Sequence, residues 1–250
     1  MTAVLHTEGL SRRFGALQAV RDVSFALQAG ARHALIGPNG AGKTTFVNLL
    51  TGALSPTAGE VFLDGQPITR LAPDVRVRRG MVRTFQITTL FPNLTVLEAV
   101  ALAVLERSGL GWKWRSPVSA CAKEIEEARR IVCDLYLEED ADVPTRILPY
   151  GKQRLLEIAV ALAMRPRVLL LDETAAGIPG GQRTEIFSVL TGLPREVTIL
   201  FIEHDMDLVF RFADRITVIA SGSILAEGNP QQIAADARVR EVYLGEGGHA

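Results

Sequence analysis

Cysteine is scarce in this chain: Cys121 and Cys133 are the only two among 250 residues. They stand 12 positions apart, outside any CxxC pair, and only 4 histidines accompany them. That excludes a disulfide framework and makes a structural zinc site an unsuitable reading; two reduced thiols of a cytosolic protein are expected. Long apolar runs are missing too. The longest reach 7 residues, as from Ile158 to Met164, whereas a bilayer span needs about 20. Residues 1–10 hold no basic flank followed by an apolar stretch, so no signal peptide is expected. Neither charge is in excess. Lys and Arg total 27 against 28 Asp and Glu, a net charge of −1, so no nucleic-acid partner is expected. Internal repeats and low-complexity segments are also absent.

Apolar residues, by contrast, are plentiful. Hydrophobic residues make up 48% and charged residues 22%, as in a globular protein. A chain of this length buries roughly 70–75% of the surface its unfolded form exposes. It therefore needs no cross-link to fold.

The apolar pattern changes along the chain. Val4 to Leu10, Val20 to Leu27 and His33 to Ile36 read as strands, and Gly59 to Gly65 as a strand or hairpin arm. A helix is expected over Gly42 to Leu50, closed by Gly52. Thr95 to Glu106, Ala122 to Leu137 and Gly151 to Met164 then read as helices, with a loop over 108–118. Val168 to Leu171 and Thr198 to Ile202 are continuous apolar runs, as in strands covered on both faces. Ile216 to Ala220 is a further strand, and helices over Gln182 to Leu190 and Asp205 to Phe212 lie between. Strands alternating with helices imply an α/β fold with a parallel core. One domain over 1–250 is expected. Its core is formed by about 1–87 and 165–250, and about 88–164 forms a helical insert.

Gly37, Pro38, Asn39, Gly40, Ala41, Gly42, Lys43 and Thr44, followed by Thr45, match GxxxxGK[ST] between an apolar strand and a helix. Glycines let the backbone wrap closely around phosphate oxygens, and the helix N-terminus faces the anion. Lys43 then places its charge at the β- and γ-phosphates, and Thr44 offers a hydroxyl to Mg²⁺. A second apolar strand ends in Asp172 and Glu173, 129 residues after Lys43. A carboxylate at that end of a parallel strand reaches the ligand crevice. Asp172 suits Mg²⁺, and Glu173 suits the orientation and polarisation of an attacking water. The two motifs together describe a P-loop NTPase.

Further segments carry a resemblance to the ABC ATPases. Leu148-Pro149-Tyr150-Gly151-Lys152-Gln153 is similar to their LSGGQ signature, Phe85-Gln86 to their Q-loop, and Glu203-His204-Asp205 to their switch histidine. Phe14 stands where the family carries an aromatic that stacks on adenine. The resemblance covers nearly the whole chain. It implies a RecA-like core with an antiparallel β subdomain and a helical insert. It also implies ATP as substrate and Mg²⁺ held by Thr44, Gln86 and Asp172. Catalytic roles fall to Glu173, His204 and Gln86. Pro149, Tyr150, Gly151, Lys152 and Gln153 would face ATP held by a second ATPase subunit, a copy of this chain or a homologue. Within the family, Arg12-Arg13-Phe14-Gly15, Arg83-Thr84-Phe85-Gln86 and Tyr150-Gly151 resemble ATPase subunits of branched-chain amino-acid importers. Urea importers and lipopolysaccharide-export ATPases are near relatives, and a soluble ABC ATPase not tied to transport is the remaining alternative. Membrane permease subunits, a periplasmic solute-binding protein acting indirectly, and a peripheral place on the cytoplasmic face of the plasma membrane are implied. The chain departs from the family at Pro149, where the signature serine is missing, at Thr174 and at Pro179.

Overall fold

Two sheets share the apolar runs between them. The computed structural model describes residues 3–84, 91–110, 121–172, 178 and 180–244. The first sheet is antiparallel. It runs β2 (Leu17–Val23), β1 (Ala3–Phe14), β5 (Ala58–Leu63), β6 (Gln66–Pro67), and β3 (Ala26–Gln28) also pairs with β1. The second has the order β11 (Ser223–Gly228), β10 (Arg215–Ala220), β4 (Arg32–Ile36), β9 (Thr198–Ile202), β8 (Val168–Asp172), β7 (Met81–Arg83). Its strands are parallel except for β11, an antiparallel edge. The antiparallel subdomain and parallel core expected from the sequence are thus both present.

Strands β4, β8 and β9 are buried at every position, because the sheet is covered on both faces. Alternate residues divide between two cores, as the pleat requires. Ala34, Ile36, Leu169 and Leu171 pack with the helices α3 (Val96–Arg107), α4 (Ala122–Asp134) and α5 (Tyr150–Ala163). Leu35, Leu170 and Leu200 face the opposite way, onto the first sheet and α1 (Lys43–Thr51). Helix α3 begins at a capping box, with Thr95 and Glu98 satisfying each other's backbone N–H groups.

One stretch departs from the expected strand. Val20 to Leu27 is not continuous: β2 ends at Val23 and β3 starts at Ala26. The Thr7 hydroxyl donates to Val23 O and accepts from the Phe25 N–H, so a side chain occupies the ladder at the break. Strand β1 pairs with β3 before this point and with β2 after it. Elements not anticipated are short: β6, α2 (Pro73–Arg78) and β7 lie ahead of the helical layer, and the edge strand β11, α8 (Pro230–Ala235) and α9 (Ala237–Leu244) close the described chain. The remaining helices are α6 (Gly180–Gly192) and α7 (Met206–Phe212).

Helix α2 matters for α1. Its Arg76 is 1% exposed and donates to Leu49 O, Leu50 O and Thr69 O, capping the carbonyl end of α1. Burial lowers the guanidinium pKa to about 10. Both cysteines are free. Among the described residues no helix is long and apolar enough to cross a membrane.

Candidate nucleotide site

Strand β4 hands the chain to the phosphate loop, and Gly42 caps α1 in a left-handed conformation, φ 102°. Beyond any role toward a ligand, the protein itself requires these glycines. A Cβ on Gly37, at φ 153°, would lie 2.0 Å from Ile219 O. One on Gly42 would lie 2.3 Å from Ala19 O. The loop is therefore wedged between β10 and β2 as well as shaped for an anion. Lys43 Nζ donates to Gly37 O at 2.6 Å and to Pro38 O at 2.8 Å. These bonds fix the ammonium inside the curl of the loop, with the side chain 7% exposed.

A cavity of about 710 Å³ opens over the loop. That volume suits a nucleotide-sized ligand. Asn39, Gly40, Ala41, Gly42, Lys43, Thr44 and Thr45 line it from below, and Phe14, Gln18 and His204 from the sides. Phe14 is the last residue of β1 and sits opposite Leu17 across the hairpin, 42% exposed. The Arg12 guanidinium lies 4.7 Å from its ring centroid and supports it. His204 follows β9 and is exposed beside the loop. The structure thus brings together three segments that are far apart in sequence.

Asp172 ends β8 and is 6% exposed. Its Oδ2 accepts from Nη2 of Arg83 in a close ion pair. Nη1 of the same guanidinium donates to Asn48 Oδ1 at 2.7 Å. Asn48 lies four residues after Thr44, on the same face of α1. The bridge therefore sets Asp172 beside the face that carries Thr44. A hydroxyl and a carboxylate, both hard oxygen donors, fit Mg²⁺, which takes one or two carboxylates plus substrate phosphates. Among the described residues no group of three or more His, Cys, Asp or Glu could form an all-protein metal cage. Gln86 and Glu173 lie outside the described residues.

Pro149 caps α5, with Tyr150, Gly151 and Lys152 as its first turn and no side chain closing it. Gln153 Nε2 donates to Leu148 O. Lys152 pairs with Asp140 at 2.5 Å, and that bond holds its ammonium above the ordinary lysine pKa. Arg154 would be lowered by burial, but its bonds to Glu157 and Tyr150 shift it upward on balance. None of Pro149, Tyr150, Gly151, Lys152 and Gln153 lines the cavity over the phosphate loop. The signature segment and the loop are thus two separate surfaces of the chain.

Sequence reasoning missed Arg83 and Asn48. The segment Arg83-Thr84-Phe85-Gln86 did signal importer ATPases, but the partners of Arg83 lie in α1 and β8, 35 and 89 residues away. No local pattern displays them.

Known proteins resemble this arrangement. The profile of the ABC transporter family matches residues 20–176, and that of the branched-chain amino acid ATP-binding cassette transporters matches residues 223–249. The chain is 40% identical to the high-affinity branched-chain amino acid transport ATP-binding protein BraF of Pseudomonas aeruginosa, over 97% of this chain and 98% of that one. It is 39% identical, with the same coverage, to LivG of Escherichia coli K12. Its fold superimposes on the ADP conformation of MJ1267, an ATP-binding cassette of an ABC transporter. The TM-score is 0.84, with 31% identity over 98% of this chain and 100% of that one.

Proposed function

The chain belongs to the ABC transporter ATP-binding family, whose members bind and hydrolyse ATP, and on that premise we propose that it powers import of branched-chain amino acids. The near full-length likeness to BraF carries this reading of the cargo. In it, Phe14 stacks on adenine. The loop from Gly37 to Thr45 wraps the phosphates, and Lys43 faces their β/γ end. Thr44, Asp172 and Gln86 hold Mg²⁺, which supplies charge compensation for the phosphates when bound. Glu173 orients and polarises the attacking water, and His204 donates toward the γ-phosphate.

ATP binding of this kind closes only against a second ATPase subunit. The separation of the signature from the chain's own cavity supports that arrangement. Residues 149–153 then cover the partner's ATP. The departures Pro149 and Pro179 fall on that second site and favour a non-identical partner subunit.

The permease docks, in this reading, in an apolar groove of about 570 Å³ between the parallel core and the helical layer. Val77, Val82, Phe91, Leu102 and Val160 line it, and Phe91 is 60% exposed. Glu106 sits on its wall as an exposed carboxylate, so the docked permease segment is apolar with a basic residue. The chain is then peripheral on the cytoplasmic face of the inner membrane. A periplasmic solute-binding protein delivers the cargo.

The test is uptake of labelled leucine, isoleucine and valine by cells lacking this chain, complemented by wild type or Lys43→Ala. Wild type is expected to restore uptake and Lys43→Ala to fail, because the variant lacks the cation facing the β/γ-phosphates. Restored ATPase activity without restored uptake of any of the three would overturn the cargo reading.

A further inference from the structure

Arg83 is the last residue of β7, and its side chain is 16% exposed. It is no part of the phosphate loop, the strand carrying Asp172 or the signature. Yet its guanidinium forks between two of the site's supports. One arm donates to Asn48 on α1 and the other to Oδ2 of Asp172 on β8. Oδ1 of Asp172 accepts no hydrogen bond from the described residues. Strand β7 runs parallel to β8 with Arg83 opposite Leu170, and the Thr84 N–H donates to Leu170 O at 2.9 Å. The chain then enters 85–90, which contain Gln86. Arg83 and Thr84 also line the groove between core and helical layer.

A buried ion pair contributes little stability over an apolar pair of the same shape, because both charges lose water. Its geometry, by contrast, is demanding. Only a planar fork reaches two acceptors on different elements at once; a lysine ammonium at the same place is a point charge on a flexible stem. The acceptors chosen are the carboxylate at the end of β8 and an amide one helical turn beyond Thr44.

We propose that Arg83 is a positioning residue for the metal site. It clamps one oxygen of Asp172 and, through Asn48, the helix face of Thr44. The second carboxylate oxygen and the Thr44 hydroxyl are thereby held in one fixed relation. This rests on the reading of Asp172 and Thr44 as the Mg²⁺ ligands. Its consequence is specific. Without the fork, nucleotide is still cradled by the phosphate loop, but a higher Mg²⁺ concentration is needed to complete the site.

The test titrates Mg²⁺ against binding of a fluorescent ADP analogue to the full chain, with a parallel measurement in EDTA. Arg83→Ala is expected to raise the Mg²⁺ concentration for half-maximal binding about tenfold, the usual lower scale for loss of a group that orients a metal ligand. Binding in EDTA is expected to change less than about twofold by the same argument. Arg83→Lys, which keeps the charge and loses the fork, is expected to follow Arg83→Ala rather than wild type. Asn48→Ala, which keeps the ion pair, is expected to shift in the same direction by less, and serves if the arginine variants fail to fold. An unchanged or lowered Mg²⁺ requirement in these variants overturns the proposal, as does an equal loss with and without Mg²⁺. Asp172→Asn separates the two readings. If it leaves the Mg²⁺ requirement unchanged, the ligand assignment fails; if it raises the requirement while the Arg83 and Asn48 variants do not, only the positioning role fails.

Discussion

Phe14 and His33 differ first in exposure: one ring lines the nucleotide cavity and the other is enclosed in the core. Phe14 is exposed, rests against Arg12 and lines the nucleotide cavity. Aromatic stacking is worth roughly 0.5–1.5 kcal/mol beyond burial, which is a factor of about 2 to 13 in affinity. Phe14→Ala is therefore expected to raise the ATP KM by that factor with kcat nearly unchanged, as steady-state kinetics would reveal. His33 does not line that cavity. It is fully buried on β4, with Nε2 2.8 Å from Thr217 Oγ1 and the edge of Phe25 against the ring. Thr217 Oγ1 donates onward to Glu227 at 3.2 Å, so it accepts from His33, and Nδ1 has no partner among the described residues. Burial, reinforced by Arg215 and opposed by Asp214, pushes the imidazole pKa down to about 3. The fold thus refuses a proton that the unfolded chain takes up below its ordinary 6.5. The stability His33 supplies is complete above pH 6.5 and is lost as pH falls from there toward about 3. Urea midpoints measured across that window are expected to fall with acid. His33→Leu is expected to flatten the slope by up to one proton, about 1.4 kcal/mol per pH unit. An equal slope in the variant would assign the acid sensitivity to other groups.

At the scale of elements, long and strongly patterned segments were legible and short ones were not. β8, β9 and α5 have apolar runs or helical spacing long enough to specify themselves, so their expected limits agree with the structure to within about two residues. The three-residue β7 and the six-residue α2 are defined by what they pack against. The break between β2 and β3 depends on Thr7, whose hydroxyl comes from another strand. The site divides the same way. The phosphate loop and Asp172 form contiguous patterns, whereas the Asn48–Arg83–Asp172 bridge joins three elements and shows in none of them. Helix α5 offers an element-scale prediction. Pro149 leaves its first turn without a side-chain cap. Pro149→Ser would add a cap worth about 1 kcal/mol. It would also free the unfolded chain, at a cost of about 0.4–1 kcal/mol. The two effects nearly cancel, so the melting temperature is expected to stay within about 2 °C. Any change in turnover of the assembled transporter would then report the restored hydroxyl at the partner's ATP. A rise is expected, and an unchanged rate would remove the missing hydroxyl as a limit on that site.

At the scale of the whole molecule, the two functional surfaces face different tasks. The cavity over the phosphate loop gathers Phe14, Lys43 and His204 from one chain, and residues 149–153 stand apart from it. In the proposed reading a monomer binds nucleotide through its loop, and among the described residues none of 149–153 lines the cavity where the γ-phosphate would sit. If a second subunit completes the site, as proposed, the sandwich is expected to persist as long as ATP stays intact. Glu173→Gln removes the carboxylate assigned to polarise the water while keeping the shape of the side chain. General-base contributions of about 10²–10⁴ in rate imply a similar slowing of hydrolysis. Mg²⁺-ATP binding is expected to survive, because Lys43, Thr44 and Asp172 are untouched. The variant is then expected to elute from size exclusion as a dimer in Mg²⁺-ATP and as a monomer in ADP, while wild type stays monomeric in both. If the partner subunit is a homologue rather than a copy, the trapped dimer appears only when that homologue is added, and its site against Pro149 is the weaker of the two. A variant that stays monomeric with ATP, with and without the homologue, would mean that the signature surface does not cover a partner's nucleotide.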